Sequence, residues 1–273
     1  AEVGLAELGE VPTRHLQGEW GHAPSAPIRR RVMFGSSASI LLAELPHAPF
    51  LIRTDRAELV IQRLTRSDLG GWASGVGRDR FGLWADFTVK DIRQRLRFCP
   101  PGRFLMGSPE DEPGRNDNEG PQTEITFAHG FWMFDTPVTQ ELYHAVTGKN
   151  PSRFVSPTRP VDQIDFLQAS SFTRSLNAIL PGAELRLPSV AEWEYACRAG
   201  TTEAKYAGPM AILGENNAPV LSDIAWYGGN SGIEFELEDG SDSSDWPDKQ
   251  FADSKAGTMP VKMLRANRWG IYD

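Results

Sequence analysis

Two carboxylates flank a tryptophan in the segment RLPSVAEWEYACRAG, residues 186–200. Glu192 and Glu194 could bind a ligand or take part in acid–base chemistry, because ionised carboxylates accept hydrogen bonds and protons. Ser189 lies three residues before Glu192, which is the spacing of a capping box, where each side chain bonds to the other residue's amide. The pattern predicts a helix that begins after Ser189 and ends near Gly200, and it gives Glu192 a structural role.

Cysteine is the other residue type that could carry chemistry, and the chain has two, Cys99 and Cys197. Two cysteines do not make a disulfide framework in a chain of 273 residues. Cys197 falls in the helix that follows Ser189. We expect it to be small, buried and inert, because a buried free cysteine behaves as a small hydrophobic side chain.

Two further segments look like ligand loops but lack the required spacing. Gly75 and Gly77 have no third glycine where a dinucleotide loop needs one, so we exclude that cofactor. We expect nearby aromatic residues to anchor a small β layer instead: Trp72, Phe81, Trp84 and Phe87. A later Gly/Pro-rich loop carries five acidic residues, Glu110, Asp111, Glu112, Asp117 and Glu119. Their spacing matches no calcium-loop template, which predicts a solvated hairpin connection.

Three helices would position these residues. Thr139 is placed to cap the segment QELYHAVTG, and Asp165, with Gln168 in the reciprocal position, is placed to cap FLQASSFTRSLNAIL. Both segments carry apolar residues at helical spacing. The helix after Ser189 is the third, and short strands and long loops account for the rest.

Composition limits the functions that the chain can have. The net charge of −8 and the pI near 5.2 argue against a general nucleic-acid binder. No apolar run approaches the length of a membrane span, and the first residues are not a signal peptide. We therefore expect a cytoplasmic protein, and export stays open because the first residue is not methionine.

Six strings in the last two-thirds of the chain carry a family resemblance. In order, they are FCPPGRFLMGSPEDEPGRNDNEGPQ, TPVTQELYHAVTGKNPSRF, PVDQIDFLQASSFTRSLN, LRLPSVAEWEYACRAGTT, IAWYGGNSG and MPVKMLRANRWGIYD. Together they resemble the formylglycine-generating enzyme, or sulfatase-modifying factor, domain family over residues 95–273.

The resemblance implies an α+β domain with the C-type-lectin-like formylglycine-generating-enzyme fold, which has little regular secondary structure. We expect this domain to be incomplete at its C-terminus and to belong to a multidomain bacterial protein. Before it we predict a β-rich region over residues 1–68, where 39–45 and 57–64 have strand patterns. A Gly/Trp-rich connecting segment would then occupy residues 69–94.

The family signature includes Glu192, Trp193 and Glu194. The resemblance therefore favours a structural role for all three. Trp193 would lie in the core, Glu192 would cap the helix, and Glu194 would bind an arginine or a backbone group nearby.

Enzyme members of the family oxidise a cysteine of a target sulfatase to formylglycine, using oxygen and a copper ion held by two cysteines. Thiolates suit this role because they are soft ligands that select Cu(I). The family's cysteine pair lies beyond residue 273, and neither Cys99 nor Cys197 matches it, so no catalytic residue is assigned here. The chain is thus either part of a copper- and oxygen-dependent oxidoreductase or a non-catalytic module. The module would bind a protein, peptide or other ligand on the same fold, as diversified variable proteins do.

A third branch of the family forms sulfur–carbon bonds at an iron site with an H-x-x-x-H-x-E signature. The chain has five histidines, His15, His22, His47, His129 and His144. No two of them have the required spacing, so this branch is disfavoured.

The resemblance also implies a calcium site in the loops after the third helix. Asp223 and Asp253 match carboxylate positions, and Ile224 and Lys255 would contribute backbone carbonyls. Oxygen ligands of these two kinds are what calcium requires. The acidic insertion over residues 233–250 reads as a mobile loop.

Overall fold

The computed structural model describes residues 69–202, 211–233, 235 and 238–273, and the backbone of four short strands before them. These strands are β1 (Arg31–Met33), β2 (Leu41–Leu42), β3 (Phe50–Arg53) and β4 (Glu58–Ile61). They form an antiparallel sheet in the order β1-β4-β3-β2. Strands β2 and β4 fall within the segments 39–45 and 57–64 that the sequence predicted as strands.

A second four-stranded sheet lies at the centre of the described part of the chain. It is formed by β5 (Gly75–Asp79), β6 (Gly82–Val89), β7 (Ile92–Cys99) and β10 (Phe131–Phe134), in the order β10-β7-β6-β5. Strands β5, β6 and β7 are joined by two-residue turns, because Asp79 pairs with Gly82 and Val89 with Ile92. The aromatic-rich segment therefore forms a small β layer, as predicted.

Two short pairs complete the strands. β8 (Gly102–Met106) pairs with β9 (Thr123–Phe127), and β11 (Ser241–Asp242) pairs with β12 (Lys255–Ala256). The acidic loop over residues 110–119 connects β8 to β9, which confirms the predicted hairpin connection.

Helices α1 (Gln140–Thr147), α2 (Phe166–Ile179) and α3 (Val190–Arg198) begin where the caps predicted. Thr139, Asp165 and Ser189 each accept a hydrogen bond from an amide of the first turn. Such bonds satisfy amides that have no partner within a helix, and each stabilises the helix by about 1 kcal/mol.

The main core lies between α1, α2 and the central sheet. Phe87, Leu96, Leu142 and Leu176 are fully buried there, and the rings of Tyr143 and Phe172 stack with their centroids 5.4 Å apart.

The chain divides into two compact units. One holds the first 65 residues with Pro100–Arg103 and Thr126–Phe131, and the other holds Arg66–Cys99, Phe104–Ile125 and Trp132–Asp273. All residues of the candidate sites described below belong to the second unit. No described helix is long and apolar enough to cross a membrane. The boundaries predicted at residues 68 and 94 stay predictions.

Candidate functional site

Glu192 closes the predicted capping box. Its Oε2 accepts from the Ser189 amide at 2.8 Å, and the Ser189 Oγ accepts from the Glu192 amide at 3.2 Å. Arg186 forms a two-pronged ion pair with the same carboxylate, at 2.7 and 2.5 Å. These interactions lower the pKa of Glu192 to about 2, and the bond from Arg186 is the largest cause. The carboxylate is therefore occupied by the helix start and is not available for chemistry.

Glu194 is also held by structural contacts. Its Oε1 accepts from the Gly107 amide at 2.9 Å and from the Arg198 Nε at 2.9 Å. Arg198 in turn donates to the Gly107 carbonyl at 3.0 Å. The predicted arginine and backbone partners are confirmed, and the three residues fasten α3 to the end of β8.

The prediction that Trp193 lies in the core is wrong, because 59% of its surface is exposed. The buried aromatic residue of α3 is Tyr195, whose ring lies 5.3 Å from that of Phe104 and 4.9 Å from that of Trp269. Val190 and Cys197 share the solvent face with Trp193, as their spacing of three and four residues requires.

The prediction that Cys197 is buried is also wrong, because this residue lies on the solvent face of α3. Cys197 is exposed on α3, whereas Cys99 is fully buried at the end of β7, where desolvation raises the pKa of its thiol. Copper(I) needs thiolates. One thiol is inaccessible and held in its neutral form, and the other is on the surface, so the two do not fit a shared copper ion.

The predicted calcium residues come from two loops. Asp223 ends a short 3-10 helix and is exposed, while Ile224 is buried beside it. Asp253 and Lys255 lie against Gly232, where a β-carbon would come within 2.7 Å of Asp253 and 2.1 Å of the Lys255 carbonyl oxygen. Glycine at 232 thus lets the second loop approach closely.

A separate cleft of about 570 Å³ lies between the β5–β6 turn and residues 262–272. The turn contributes Arg80 and Phe81 to one wall. Asp79 fixes this turn, since its Oδ1 accepts from the Phe81 amide at 2.9 Å. The Arg80 guanidinium lies 4.6 Å from the centre of the Phe81 ring, a distance typical of cation–π stacking.

The other wall is held in place by buried Asn267. Its Nδ2 donates to the Ala196 and Cys197 carbonyls of α3 at 2.7 and 3.2 Å. Its Oδ1 accepts from the Trp269 and Ile271 amides at 2.9 and 3.1 Å. Asn267 therefore binds the end of α3 to the chain that lines the cleft.

An ion pair between half-exposed Lys262 and buried Asp135 anchors the same wall to the central sheet. The Lys262 ammonium lies 2.8 Å from the carboxylate of Asp135, and the Asp135 carbonyl accepts from the Tyr272 amide at 2.8 Å. Desolvation raises the pKa of Asp135, and Lys262 opposes that effect.

The cleft is strongly basic in an acidic protein. Four of its nine lining residues are cationic and none is acidic: Arg80, Lys262, Arg265 and Arg268. The whole chain carries a net charge of −8. Sequence analysis missed this cleft because Arg80 lies far along the chain from the other wall. The spacing of Lys262, Arg265 and Arg268 in an acidic chain was the available signal.

Glu192→Gln should make the unfolding of the protein less sensitive to acid. Because the folded pKa of Glu192 lies below its usual 4.5, its contribution to stability is present above pH 4.5 and is lost as the pH falls toward 2. We expect the variant to lose about 1–2 kcal/mol near pH 7. This difference from the parent should shrink between pH 4.5 and 2.

Thermal melts of the parent and the variant from pH 7 to pH 2 measure this difference. Asp111→Asn, in the exposed loop after β8, is the control and should track the parent throughout. A difference between Glu192→Gln and the parent that is constant with pH would contradict the ionised capping box.

Comparison with known proteins identifies the family. The sequence model of the sulfatase-modifying factor enzyme 1-like domain matches residues 86–273, which is more than half of the chain. The chain belongs to this family. Consistently, its described fold is mixed α/β with small sheets and few helices.

One curated relative and two solved structures illustrate the range of similar proteins. This chain is 30% identical over 175 residues to chaperone protein LppX of Paenibacillus barcinonensis. The matched part spans 52% of this chain and 58% of that protein. Variable protein 1 of Treponema denticola is 22% identical, with a TM-score of 0.48 and coverage of 69% and 72% of the two chains. PvdO from Pseudomonas aeruginosa is 23% identical, with a TM-score of 0.49 and coverage of 74% and 70%.

Proposed function

We propose that this chain is a polypeptide-binding member of the family and does not oxidise a peptidyl cysteine through its own thiols. The observation that carries the proposal is the opposite placement of its two cysteines. Cys99 is buried with a raised thiol pKa, and Cys197 is exposed on a helix. A copper-dependent oxidation would need two thiolates at one metal, and these two cysteines do not supply them.

The basic cleft supports binding as the activity of the chain. Its volume of about 570 Å³ is in the range of sites that hold a small molecule or a few residues of a peptide. The backbone of its walls is held by the contacts of Asp79 and Asn267, so binding needs little ordering of that backbone. Binding to a pre-ordered wall costs less conformational entropy.

The similarity to chaperone protein LppX supports a polypeptide as the partner. The word chaperone describes that protein, and we extend it to this chain as part of the proposal. The same proposal assigns the domain to the C-type-lectin-like folds, in which irregular loops present a ligand surface. Absence of nucleic-acid binding and the cellular location stay predictions.

The test uses a reduced and carboxymethylated test protein, which cannot refold, carrying a fluorescent label. We expect its anisotropy to rise on titration with the chain and to rise equally with Cys99→Ala/Cys197→Ala. In parallel, a cysteine-bearing sulfatase peptide is incubated with the parent, copper and a reductant, and its mass should stay unchanged. Absence of an anisotropy change, or formylglycine formation above a protein-free control, would overturn the proposal.

We further propose that calcium binds at Asp223 and Asp253, with the Ile224 and Lys255 carbonyls. Two carboxylates and two carbonyls are a suitable but small oxygen set, and water would complete it. The close approach of the second loop to Gly232 supports the placement of the Lys255 carbonyl. Among the described residues, no three His, Cys, Asp or Glu side chains form a group that could hold a metal.

Calcium should raise the melting temperature of the parent. At a hundredfold excess over its dissociation constant, a ligand of the folded state stabilises it by about 2.7 kcal/mol. Asp223→Asn and Asp253→Asn should each lose most of the calcium-dependent shift while melting near the parent without calcium. Magnesium is the control, because it gives up its water shell reluctantly and should have little effect. A calcium shift that survives in both variants would place calcium elsewhere.

A further inference from the structure

We propose that the basic cleft binds the carboxylate side chains of an acidic polypeptide segment. The inference rests on the proposed function for the polypeptide nature of the partner. The preference for anionic groups rests on the cleft alone. Its two outer arginines, Arg80 and Arg268, lie on opposite walls and would hold successive carboxylates.

Arg80 and Arg268 are available to a ligand. Both side chains are exposed, and Arg268 forms no ion pair or hydrogen bond with any described residue. The acid nearest to Arg80 in sequence is Asp79, but Arg97 and Arg95 already share its carboxylate, at 2.8 and 3.8 Å. An unneutralised guanidinium can form two parallel hydrogen bonds to one carboxylate.

Stacking prepares Arg80 for such a contact. The Arg80 guanidinium lies over the Phe81 ring, 4.6 Å from its centre. A guanidinium over a ring can still donate hydrogen bonds through its N–H groups. Arg97 approaches the same ring, at 5.3 Å, and packs against Gly270, where a β-carbon would come within 2.8 Å of its Nε. Glycine at 270 thus lets the second wall approach Arg97 and Phe81 closely. The Phe81 ring beside Arg80 is therefore held in place by its neighbours.

The remaining cations differ in their roles. Lys262 is bonded to buried Asp135 and supports the wall, so it contributes little free charge. Arg265 is exposed, and its amide donates to the Asp223 carbonyl at 2.8 Å. Arg80 and Arg268 therefore present positive charge toward solvent. The charge of Lys262 is already paired with that of Asp135. A concave surface lined by one sign of charge focuses its field and attracts the opposite charge.

An acidic polypeptide fits this cleft better than a nucleic acid does. A nucleic acid would bring a continuous row of phosphates against a protein whose net charge is −8. A short peptide segment can place its few carboxylates at the arginines of the cleft and its uncharged residues against the rest of the protein. The apolar parts of its side chains can contact Phe81 and Tyr272, which line the cleft beside the arginines.

The experiment measures anisotropy of a labelled peptide of alternating glutamate and glycine titrated with the full chain. We expect saturable binding that weakens with salt and weakens at least about tenfold when glutamine replaces glutamate. Arg80→Gln/Arg268→Gln should weaken binding of the glutamate peptide by roughly tenfold, since each exposed pair contributes up to about fivefold. Lys149→Gln/Arg174→Gln removes two exposed cations elsewhere and should bind as the parent does.

Four outcomes would overturn the inference: equal binding of the glutamine peptide, parent-like binding by Arg80→Gln/Arg268→Gln, tighter binding of a single-stranded oligonucleotide, or full displacement of the peptide by equimolar inorganic phosphate. The last would assign the site to a free small anion. Binding of the unfolded test protein without binding of the glutamate peptide would remove this inference and leave the proposed function intact. Binding of the glutamate peptide without binding of the unfolded test protein would remove the proposed polypeptide-binding function and leave a site for anionic groups.

Discussion

Tyr195→Ala should lower the free energy of unfolding by roughly 3–5 kcal/mol, whereas Trp193→Ala should change it by less than about 0.5 kcal/mol. Tyr195 is 4% exposed and packs against Phe104 and Trp269, so its removal leaves a cavity. Trp193 is 59% exposed on the opposite face of α3. The two residues lie on one helix, so differences in helix propensity stay small beside the difference in packing.

Urea unfolding of the parent and both variants, followed by circular dichroism, measures the contrast. Tyr195→Phe is the control, because it keeps the ring and should retain most of the stability. If Trp193→Ala unfolded as early as Tyr195→Ala, the assignment of the buried and exposed faces of α3 would be incorrect.

Asn267→Leu should lower the free energy of unfolding by about 2–4 kcal/mol. The substitution keeps the approximate volume and removes four side-chain hydrogen bonds, leaving buried amides and carbonyls without partners. Each unpaired buried group costs about 1–3 kcal/mol, and partial relaxation keeps the sum below the total. The neighbouring Arg268→Gln is the control and should stay within about 0.5 kcal/mol of the parent, since Arg268 is exposed.

The same urea titration reports both variants. Asn267→Leu should also weaken binding at the cleft at temperatures where it stays folded, because the wall loses its attachment to α3. Parent-like stability of Asn267→Leu would mean that the wall is held by its other contacts, chiefly the Lys262–Asp135 pair.

The sequence predicted the local features of the fold well. Caps at Thr139, Asp165 and Ser189 depend on residues three positions apart, so their spacing is visible in the chain. The capping contact of Glu192 was predicted for the same reason. The partners of Glu194 were expected from the family resemblance, and one of them, Gly107, is distant in sequence.

The prediction for Trp193 came from the family resemblance, and it failed because α3 buries Tyr195 and leaves Trp193 exposed. Val190, Trp193 and Cys197 are apolar at helical spacing, and Glu192, Tyr195 and Ala196 offer a second face. The spacing of these residues does not decide which of the two faces is buried. The contacts that decide between the faces come from Phe104 and Trp269, which lie far from α3 along the chain.

The basic cleft was missed because it is formed by folding and not by a motif. Its walls come from the β5–β6 turn and from residues 262–272, and only the tertiary fold brings Arg80 near Arg268. The calcium set followed from the family resemblance, and binding of calcium stays a proposal. A metal set built from two loops can be tested only by the metal itself.

Hydrogen–deuterium exchange of the full chain, with and without the reduced and carboxymethylated test protein, tests most directly whether the cleft binds a polypeptide. We predict slower exchange on binding in peptides that contain residues 79–82 and 262–272, and unchanged exchange along α2. Arg80→Gln/Arg268→Gln should lose most of this protection. Protection confined to other regions, or no protection at saturating concentrations of the test protein, would contradict the assignment of polypeptide binding to this cleft.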